Sequence, residues 1–230
     1  MPPETKAVSD FQNIISSEMD LKDAIRSGHL DGAAIRNIVV QRTSLAERCF
    51  SNVLITKVTT KNLSFDGFEA KAVQWSASDL CGSSFRFGDF DGLNMLNCAA
   101  RQCDFSQAMV QDSAFFANEM QTVNFSCAKL VKSQFQDTNV YGANFENAFV
   151  AQCQFTSANG GNPEMTRTNF HRSMVIDTSL KGANLYAANF ADAILIRVDL
   201  SGANLFQADL RGAVMIGCKY YPDDLSGALR

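Results

Sequence analysis

Residues 180–215 read LKGANLYAANFADAILIRVDLSGANLFQADLRGAVM, and a large apolar residue recurs in them at every fifth position. Those positions are Leu180, Leu185, Phe190, Leu195, Leu200, Leu205, Leu210 and Met215. A small residue, most often Ala, lies two positions before each, and the position directly before is mostly Asp or Asn. A helix repeats every 3.6 residues and a strand every two, so a period of five fits neither alone. A fixed period indicates a stacked array of similar units.

The same register extends over most of the chain. Among every fifth residue from Ile25 to Leu225, only Thr60 and Gly160 are not apolar. Most of the eighteen Phe residues and the one Trp, Trp75, occupy this position. The motif A-[D/N]-L-x-x resembles the repeat of the pentapeptide-repeat family, and the chain is identified as a member on these residues.

The resemblance implies an all-β fold, a right-handed, quadrilateral (four-sided) parallel β-helix with one pentapeptide on each side. Twenty residues then form one coil, which gives roughly ten coils and a rod on the order of 50 Å long. Residues twenty apart share a side, so the register predicts aromatic ladders in the core. One ladder comprises Phe65, Phe85, Phe105, Phe125 and Phe145. Another comprises Phe115, Phe135 and Phe155, and Trp75 takes the same inward position.

Residues 1–24 precede the repeats and are predicted to form a short N-terminal helical cap, and residues 25–230 are predicted to form the β-helix. The helix is expected to begin at Ser9 or Asp10 and to end before Gly28. Its apolar side would carry Phe11, Ile14, Ile15 and Met19. A solenoid needs covered ends, which favours a cap over the alternative of a docking helix for a partner.

The clearest break in the array consists of Asn159, Gly160, Gly161, Asn162 and Pro163. Gly-Gly and Asn-Pro are typical of turns, and Pro lacks the N–H that a β-ladder uses. Because the phase of five is kept, the break either distorts one face or loops out a unit whose length is a multiple of five. It is a candidate interaction loop, since functional elements often protrude from a regular scaffold. A tolerated irregularity is the alternative. A small bulge or turn is also expected around Thr60.

Composition predicts a folded chain, with 46% hydrophobic residues and four prolines. No apolar run has secretory or membrane-spanning length, so we expect a cytoplasmic protein without membrane contact. The seven cysteines form no CxxC pair, and Cys98, Cys103, Cys153 and Cys218 take the small inward position. They are therefore expected to be reduced and structural.

No arrangement of residues indicates catalysis. A filled rod offers no concave pocket that excludes water. His29 and His171 are far apart in sequence, and neither has a partner at ligand spacing. Phosphate loops, nucleophile elbows and zinc spacings are missing from the sequence. We expect a non-enzymatic protein that uses no cofactor or metal.

Three functions follow from the family resemblance. The favoured one is a bacterial scaffold or adaptor for protein–protein interaction, since flat faces with exposed groups suit protein contacts. Those groups are Phe116, Phe149, Tyr186 and Phe206. The resemblance extends to accessory components of type VI secretion. The alternative is a DNA mimic that binds DNA gyrase or topoisomerase and protects it from inhibitors. A net charge of −4 with scattered Lys and Arg counts against it. The third is a secreted effector. None of the three binds nucleic acid directly.

The C-terminal coil is expected to be closed by Met215, Cys218, Tyr220 and Leu225, with no evident helix over it. Either Tyr220 and Tyr221 fold over the end with the terminal residues, or the end pairs with another chain. An uncovered coil exposes unpaired edges and apolar surface, which favours a homodimer through the C-terminal coil.

Overall fold

The computed structural model describes residue 11, residues 13–158 and residues 161–230. These residues form an all-β parallel solenoid of about ten turns. Each turn has four sides with one pentapeptide on each, and equivalent residues on successive turns pair at an offset of twenty, as Phe115 does with Phe135. We number the sides faces 1 to 4 in chain order, so that Phe65 lies on face 1, Ala70 on face 2, Trp75 on face 3 and Leu80 on face 4.

Faces 2 and 3 carry the two parallel sheets. The eight-stranded sheet of face 3 consists of β1 (Asn13–Ile15), β2 (Ala33–Arg36), β4 (Leu54–Thr56), β6 (Gln74–Ser76), β8 (Asn94–Leu96), β10 (Ala114–Phe116), β12 (Gln134–Gln136) and β14 (Gln154–Thr156). The nine-stranded sheet of face 2 consists of β3 (Cys49–Ser51), β5 (Glu69–Lys71), β7 (Asp89–Asp91), β9 (Met109–Gln111), β11 (Lys129–Val131), β13 (Phe149–Ala151), β15 (Met174–Ile176), β16 (Ile194–Ile196) and β17 (Val214–Ile216).

Faces 1 and 4 are built from single parallel bridges between successive turns. On face 1 the bridges join Ser64, Ser84, Asp104, Asn124, Asn144, Asn169, Asn189 and Asp209. In most units the corner between faces is made by the second residue after the large one, which adopts a left-handed backbone with φ between 48° and 62° where it is not Gly. Even Lys57 and Arg197 adopt this conformation, because the ladder on both sides of the corner holds the backbone there.

The core is filled by aromatic rings stacked along the rod. On face 1, ring centroids of successive turns lie 4.6, 4.7, 5.2 and 5.3 Å apart from Phe65 to Phe145. On face 3, Phe115 stacks on Phe135 at 4.6 Å and Phe135 on Phe155 at 4.7 Å. Trp75 meets Phe65 edge-on at 5.5 Å. These rings are buried, so they stabilise the rod and contact no partner.

The break after Phe155 is a looped-out unit of five residues. Val150 pairs with Val175, an offset of twenty-five instead of twenty. On face 4 the N–H of Val140 donates to the carbonyl of Glu164, so Met165 follows Val140 in the ladder. Of the two alternatives, the offset supports the unit that loops out, and each face after the break shifts by one unit. Residues 158–162 are the additional ones by this count.

Pro163 does not belong to the looped-out unit. It is buried in the small inward position, and its carbonyl accepts the N–H of Asn184 at 2.9 Å. Of the predicted loop, Gly161 and Asn162 are exposed, whereas Asn159 and Gly160 lie outside the described residues. No bulge occurs at Thr60, which is 1% exposed and whose neighbour Thr59 bridges Asp79 in the regular register.

The N-terminal helix differs from the predicted one. Helix α1 spans Glu18–Ser27, and its N-cap is Ser17, whose hydroxyl accepts the N–H of Asp20 at 3.1 Å. Gly28 ends it in a left-handed conformation, as expected. The predicted starts Ser9 and Asp10 lie outside the described residues.

The predicted apolar side of the helix is also wrong. Ile14 and Ile15 lie in β1, because branched side chains favour a strand and Ile15 continues the period of five. Met19 is 74% exposed, and Leu21 and Ala24 are the buried residues of α1. Because α1 runs through residue 25, the large residues of the β-helix begin again at Leu30 rather than at Ile25.

Helix α1 is fastened to the next coil by the carboxylate of Glu18. Its Oε1 accepts the N–H of Gln41 at 3.0 Å, the N–H of Arg42 at 2.6 Å and the hydroxyl of Thr43 at 2.9 Å. These bonds, chiefly the one from the backbone of Arg42, lower the pKa of Glu18.

At the other end, the chain continues the coil through a 3-10 helix, Pro222–Leu225, to Leu229, which bridges Asp209. Tyr220 and Tyr221 are 43% and 63% exposed, so they do not fold over the end. The carboxylate of Asp224 instead holds this last turn, accepting the N–H groups of Gly202 at 3.0 Å and Tyr221 at 2.7 Å.

Candidate protein-interaction site

The Asp and Asn residues before the large positions form a ladder along face 1. Each amide nitrogen donates to the side-chain oxygen one turn below, with distances of 3.0 Å from Asn124 to Asp104, 3.2 Å from Asn144 to Asn124 and 3.0 Å from Asn169 to Asn144. Each oxygen also accepts the N–H two residues ahead, as Asn144 does from Glu146 at 3.1 Å. These side chains are thereby committed to the scaffold, which leaves the residues after the large positions to meet a partner.

The two histidines lie apart. His29 is exposed near α1, and the half-buried His171 places its Nδ1 2.8 Å from the carbonyl oxygen of Ala191 on the next turn. Within the described ranges, no group of His, Cys, Asp and Glu side chains is arranged to hold a metal ion. No helix in the same part of the chain is long and apolar enough to cross a membrane.

Surface charges pair between neighbouring turns. Lys61 contacts Asp79 at 2.8 Å, Arg101 contacts Glu119 at 2.7 Å and Arg197 contacts Asp177 at 2.6 Å. The Arg197 guanidinium lowers the pKa of Asp177. Arg211, which lies in the same pentapeptide as Asp209, likewise lowers the pKa of Asp209. Face 1 bears acidic Glu47, Asp66, Asp104, Glu146, Asp192 and Asp209 interspersed with basic Arg86, Arg172, Arg211 and Arg230. The surface is therefore a mosaic of both signs.

Face 4 carries a column of aromatic side chains, of which Tyr141 and Phe206 are exposed and Tyr186 is half-buried. Tyr141, Tyr186 and Phe206 each follow a large residue of this face, and the rings of Tyr186 and Phe206 stack with centroids 6.2 Å apart and planes 17° from parallel. Phe206 is 52% exposed. The Tyr186 hydroxyl donates to Gln207 at 2.7 Å, and Arg167 donates to the Tyr141 hydroxyl at 3.2 Å. We call Tyr141, Arg167, Tyr186 and Phe206 the face 4 patch.

The looped-out unit adjoins this patch. The chain returns from it through Pro163 into face 4, in the same pentapeptide as Arg167. Arg167 in turn reaches Tyr141 on the preceding turn. The exposed residues Gly161 and Asn162 therefore lie at the edge of the face on which the aromatic rings project.

The structure brings together two of the four aromatic residues that the sequence predicted to be exposed. Of these four, Phe206 is exposed, whereas Phe116, Phe149 and Tyr186 are half-buried. Tyr186 and Phe206 share face 4, whereas Phe149 lies on face 2 and Phe116 on face 3. Tyr141 and Arg167 were missed, because Tyr141 lies forty-five residues before Tyr186 and only the twenty-five-residue turn places both on one face. The signal that could have found Tyr141 is its position directly after a large residue, which it shares with Tyr186 and Phe206.

A parallel four-sided solenoid with stacked core rings and an Asn ladder is the structure of a repeat protein. A family profile described as pentapeptide repeats, with 8 copies, matches residues 164–202 and 183–219. Residues 164–219 thus carry the repeats of the pentapeptide-repeat family. Among curated protein sequences no match is found.

Two solved structures have the same fold. One is HetL, a pentapeptide-repeat protein involved in heterocyst differentiation regulation from the cyanobacterium Nostoc, with 17% identity, coverage of 86% of this chain and 81% of HetL, and a TM-score of 0.53. The other is a trypsin-treated variant of QnrB1, a plasmid-mediated fluoroquinolone resistance protein, with 16% identity, 93% coverage of both chains and a TM-score of 0.55. At these identities the likeness concerns the fold.

Proposed function

We propose that the protein is a non-catalytic cytoplasmic scaffold that binds a partner protein through the face 4 patch. The observation that carries this proposal is the stack of the half-buried Tyr186 ring on the exposed Phe206 ring beside Arg167. Tyr, Phe and Arg are enriched at protein interfaces, where large rings supply contact area at a low cost in conformational entropy.

The surroundings of the patch supply a polar rim. Asn184 and Asn204 form a short amide ladder beside the rings, with 3.1 Å between the Asn204 amide nitrogen and the Asn184 oxygen. Gln207 lies at the next corner, bonded to the Tyr186 hydroxyl. An apolar centre with amides around it fits a protein segment that offers both apolar side chains and backbone groups. The type VI secretion apparatus is one assembly in which such a partner can be sought.

The loop predicted at 159–163 is proposed as the edge of this site. Its described exposed members, Gly161 and Asn162, adjoin face 4, and residues 158–162 are absent from the inward ladder. A partner that rests on Tyr141 and Arg167 would contact them. At the other extreme of the rod, we propose that β1 and α1, held by Glu18, close the first coil as a cap.

A gyrase-directed DNA mimic is the alternative, and its support is the fold that the chain shares with QnrB1. A rod that competes for a cationic groove needs a continuous acidic face. Here Arg and Lys interrupt each face, and several acids are already paired with bases. The charge distribution therefore favours the scaffold.

The test is affinity capture with matched baits from cells of the source organism, followed by quantitative mass spectrometry. Phe206→Asp removes the centre of the patch. Phe87→Asp is the control, because Phe87 is 53% exposed and lies on face 1. We expect one protein set to be enriched by the wild type and by Phe87→Asp and lost with Phe206→Asp. Equal recovery with all three baits would contradict the assignment to face 4.

A further inference from the structure

The outward side chains of face 2 change character along the rod. In β5 and β7 they are charged: Glu69, Lys71, Asp89 and Asp91. In the last four strands of the sheet, β13, β15, β16 and β17, every outward side chain is apolar. We call this set the apolar band, and it comprises Phe149, Ala151, Met174, Ile176, Ile194, Ile196, Val214 and Ile216.

The apolar band is continuous and partly exposed: three of its side chains are exposed, four are half-buried and Ala151 is buried. Met174, Val214 and Ile216 are 37%, 48% and 55% exposed, and no polar side chain lies between the two columns. Four strands at the usual spacing extend roughly 20 Å along the rod. Together with the width of the face, this gives the band an exposed surface on the order of 400 Å². A patch of that size on a soluble protein ordinarily marks an interaction surface.

The rims of the band carry charges in a specific order. At the corner with face 1, Arg172 and Asp192 occupy equivalent positions on successive turns, and neither forms an ion pair within the described ranges. At the corner with face 3 the order is reversed, with Asp177 and then Arg197. Those two already pair with each other at 2.6 Å.

We infer that the apolar band binds a second copy of this chain, face to face and antiparallel, about a two-fold axis between β15 and β16. This axis lies in the plane of contact and is perpendicular to the long axis of the rod. Each corner of one chain therefore meets the same corner of the other. Arg172 then faces Asp192 of the second copy, and Asp192 faces Arg172 of that copy. These two charges, which form no ion pair within the described ranges, thus satisfy each other twice, as in an isologous interface.

The extent to which the side chains project from the sheet agrees with the same axis. It places β17, whose Val214 and Ile216 project most, opposite β13 of the second copy. Ala151 in β13 is 8% exposed and leaves room there for Ile216. In the middle, the same axis brings Met174 of β15 onto Ile194 of β16.

This contact goes beyond the proposed function, because faces 2 and 4 lie on opposite sides of the rod. A dimer through face 2 leaves both face 4 patches exposed for partners. About 400 Å² per chain is smaller than a standard stable interface, so we expect a reversible dimer at micromolar concentrations.

Sedimentation equilibrium of the full chain tests the inference, with Met174→Lys as the disrupting variant. Met109→Lys is the matched control, because Met109 lies in the same column of the same sheet, is 41% exposed and lies outside the band. We expect the wild type and Met109→Lys to dimerise with the same dissociation constant, and Met174→Lys to weaken the dimer at least tenfold with an unchanged circular dichroism spectrum. A wild-type chain that stays monomeric at hundreds of micromolar would overturn the inference.

Exchange of the rim charges tests the orientation. Arg172→Asp and Asp192→Arg should each weaken the dimer several-fold, and the double variant should restore it. If the double variant instead loses as much dimer affinity as the two single variants together, the antiparallel axis is ruled out. A dimer that Leu229→Lys dissociates and Met174→Lys leaves intact would show end-to-end association through the C-terminal coil, and would overturn the assignment to face 2. Either result leaves the face 4 test unaffected, since that test uses different residues.

Discussion

The ring of Phe145 stacks on the ring of Phe170, with centroids 4.7 Å apart and planes 3° from parallel. The two residues are twenty-five apart, whereas Phe125 and Phe145 are twenty apart and stack at 5.3 Å. A whole pentapeptide can therefore leave the coil without disturbing the core, because the next unit presents the same inward pair of small and large residues. The ladder skips five residues beside face 4 in this way.

Removal of the looped-out unit should leave the rod intact. The variant deletes residues 158–162 and carries Pro163→Ala, because the corner residue Ser157 would otherwise have to adopt a left-handed conformation before a proline. We expect an unchanged circular dichroism spectrum and a urea midpoint equal to or slightly above that of the wild type, since loop closure costs little entropy. Loss of the cooperative transition would show that the segment is part of the core.

The Phe105 ring should contribute strongly to stability. It lies between the rings of Phe85 and Phe125, at 4.7 and 5.2 Å, and is 1% exposed. Phe105→Ala leaves a cavity in the stack and should lower the free energy of unfolding by ~3–5 kcal/mol. Arg101→Ala, which removes a half-exposed ion pair to Glu119, should change it by less than about 0.5 kcal/mol. Urea denaturation of both variants measures the difference, and equal losses would contradict the assigned register.

The period of five was sufficient to predict which residues point inward, because only one small and one large side chain of each unit fit inside the coil. The sequence located the break at Gly160 but left open whether it distorts one face or loops out a unit, because residues 158–162 keep the phase of five in either case. The start of α1 was misplaced because Ile14 and Ile15 fit a helix face as well as a strand. The interaction of Tyr141 with Arg167 depends on the looped-out unit and was hidden with it.

Glu18 should stabilise the N-terminal coil in a pH-dependent way. Its pKa is lowered in the folded chain, so its contribution is present above the ordinary value of 4.5 and is lost as the pH falls through the folded value. Glu18→Gln should lower the urea midpoint at pH 7, because the amide cannot replace the carboxylate that accepts from Gln41, Arg42 and Thr43. As the pH falls through the folded-state pKa of Glu18, the midpoints of the two proteins should converge. A difference that is constant with pH would show that the charge of Glu18 is irrelevant.

The cysteines should divide into two classes by reactivity. Burial raises the pKa of Cys103 to about 12 and the pKa values of Cys98 and Cys153 to about 11. Cys49 and Cys127 are exposed and free. With a thiol-disulfide reagent at pH 8, Cys49 and Cys127 should react at once, and the three buried thiols only after denaturant is added. Rapid modification of Cys103 in the native protein, mapped by mass spectrometry, would contradict the packing of the core.

The most direct test of the proposed scaffold is site-specific photo-crosslinking in cells of the source organism, with a benzophenone amino acid in place of Phe206. The matched control carries the same amino acid in place of Phe87, which is equally exposed on face 1. If face 4 binds a partner, irradiation should produce a discrete adduct with another protein from position 206 and none from position 87. Adducts from both positions, or from neither at native expression, would contradict a partner site at Tyr186 and Phe206.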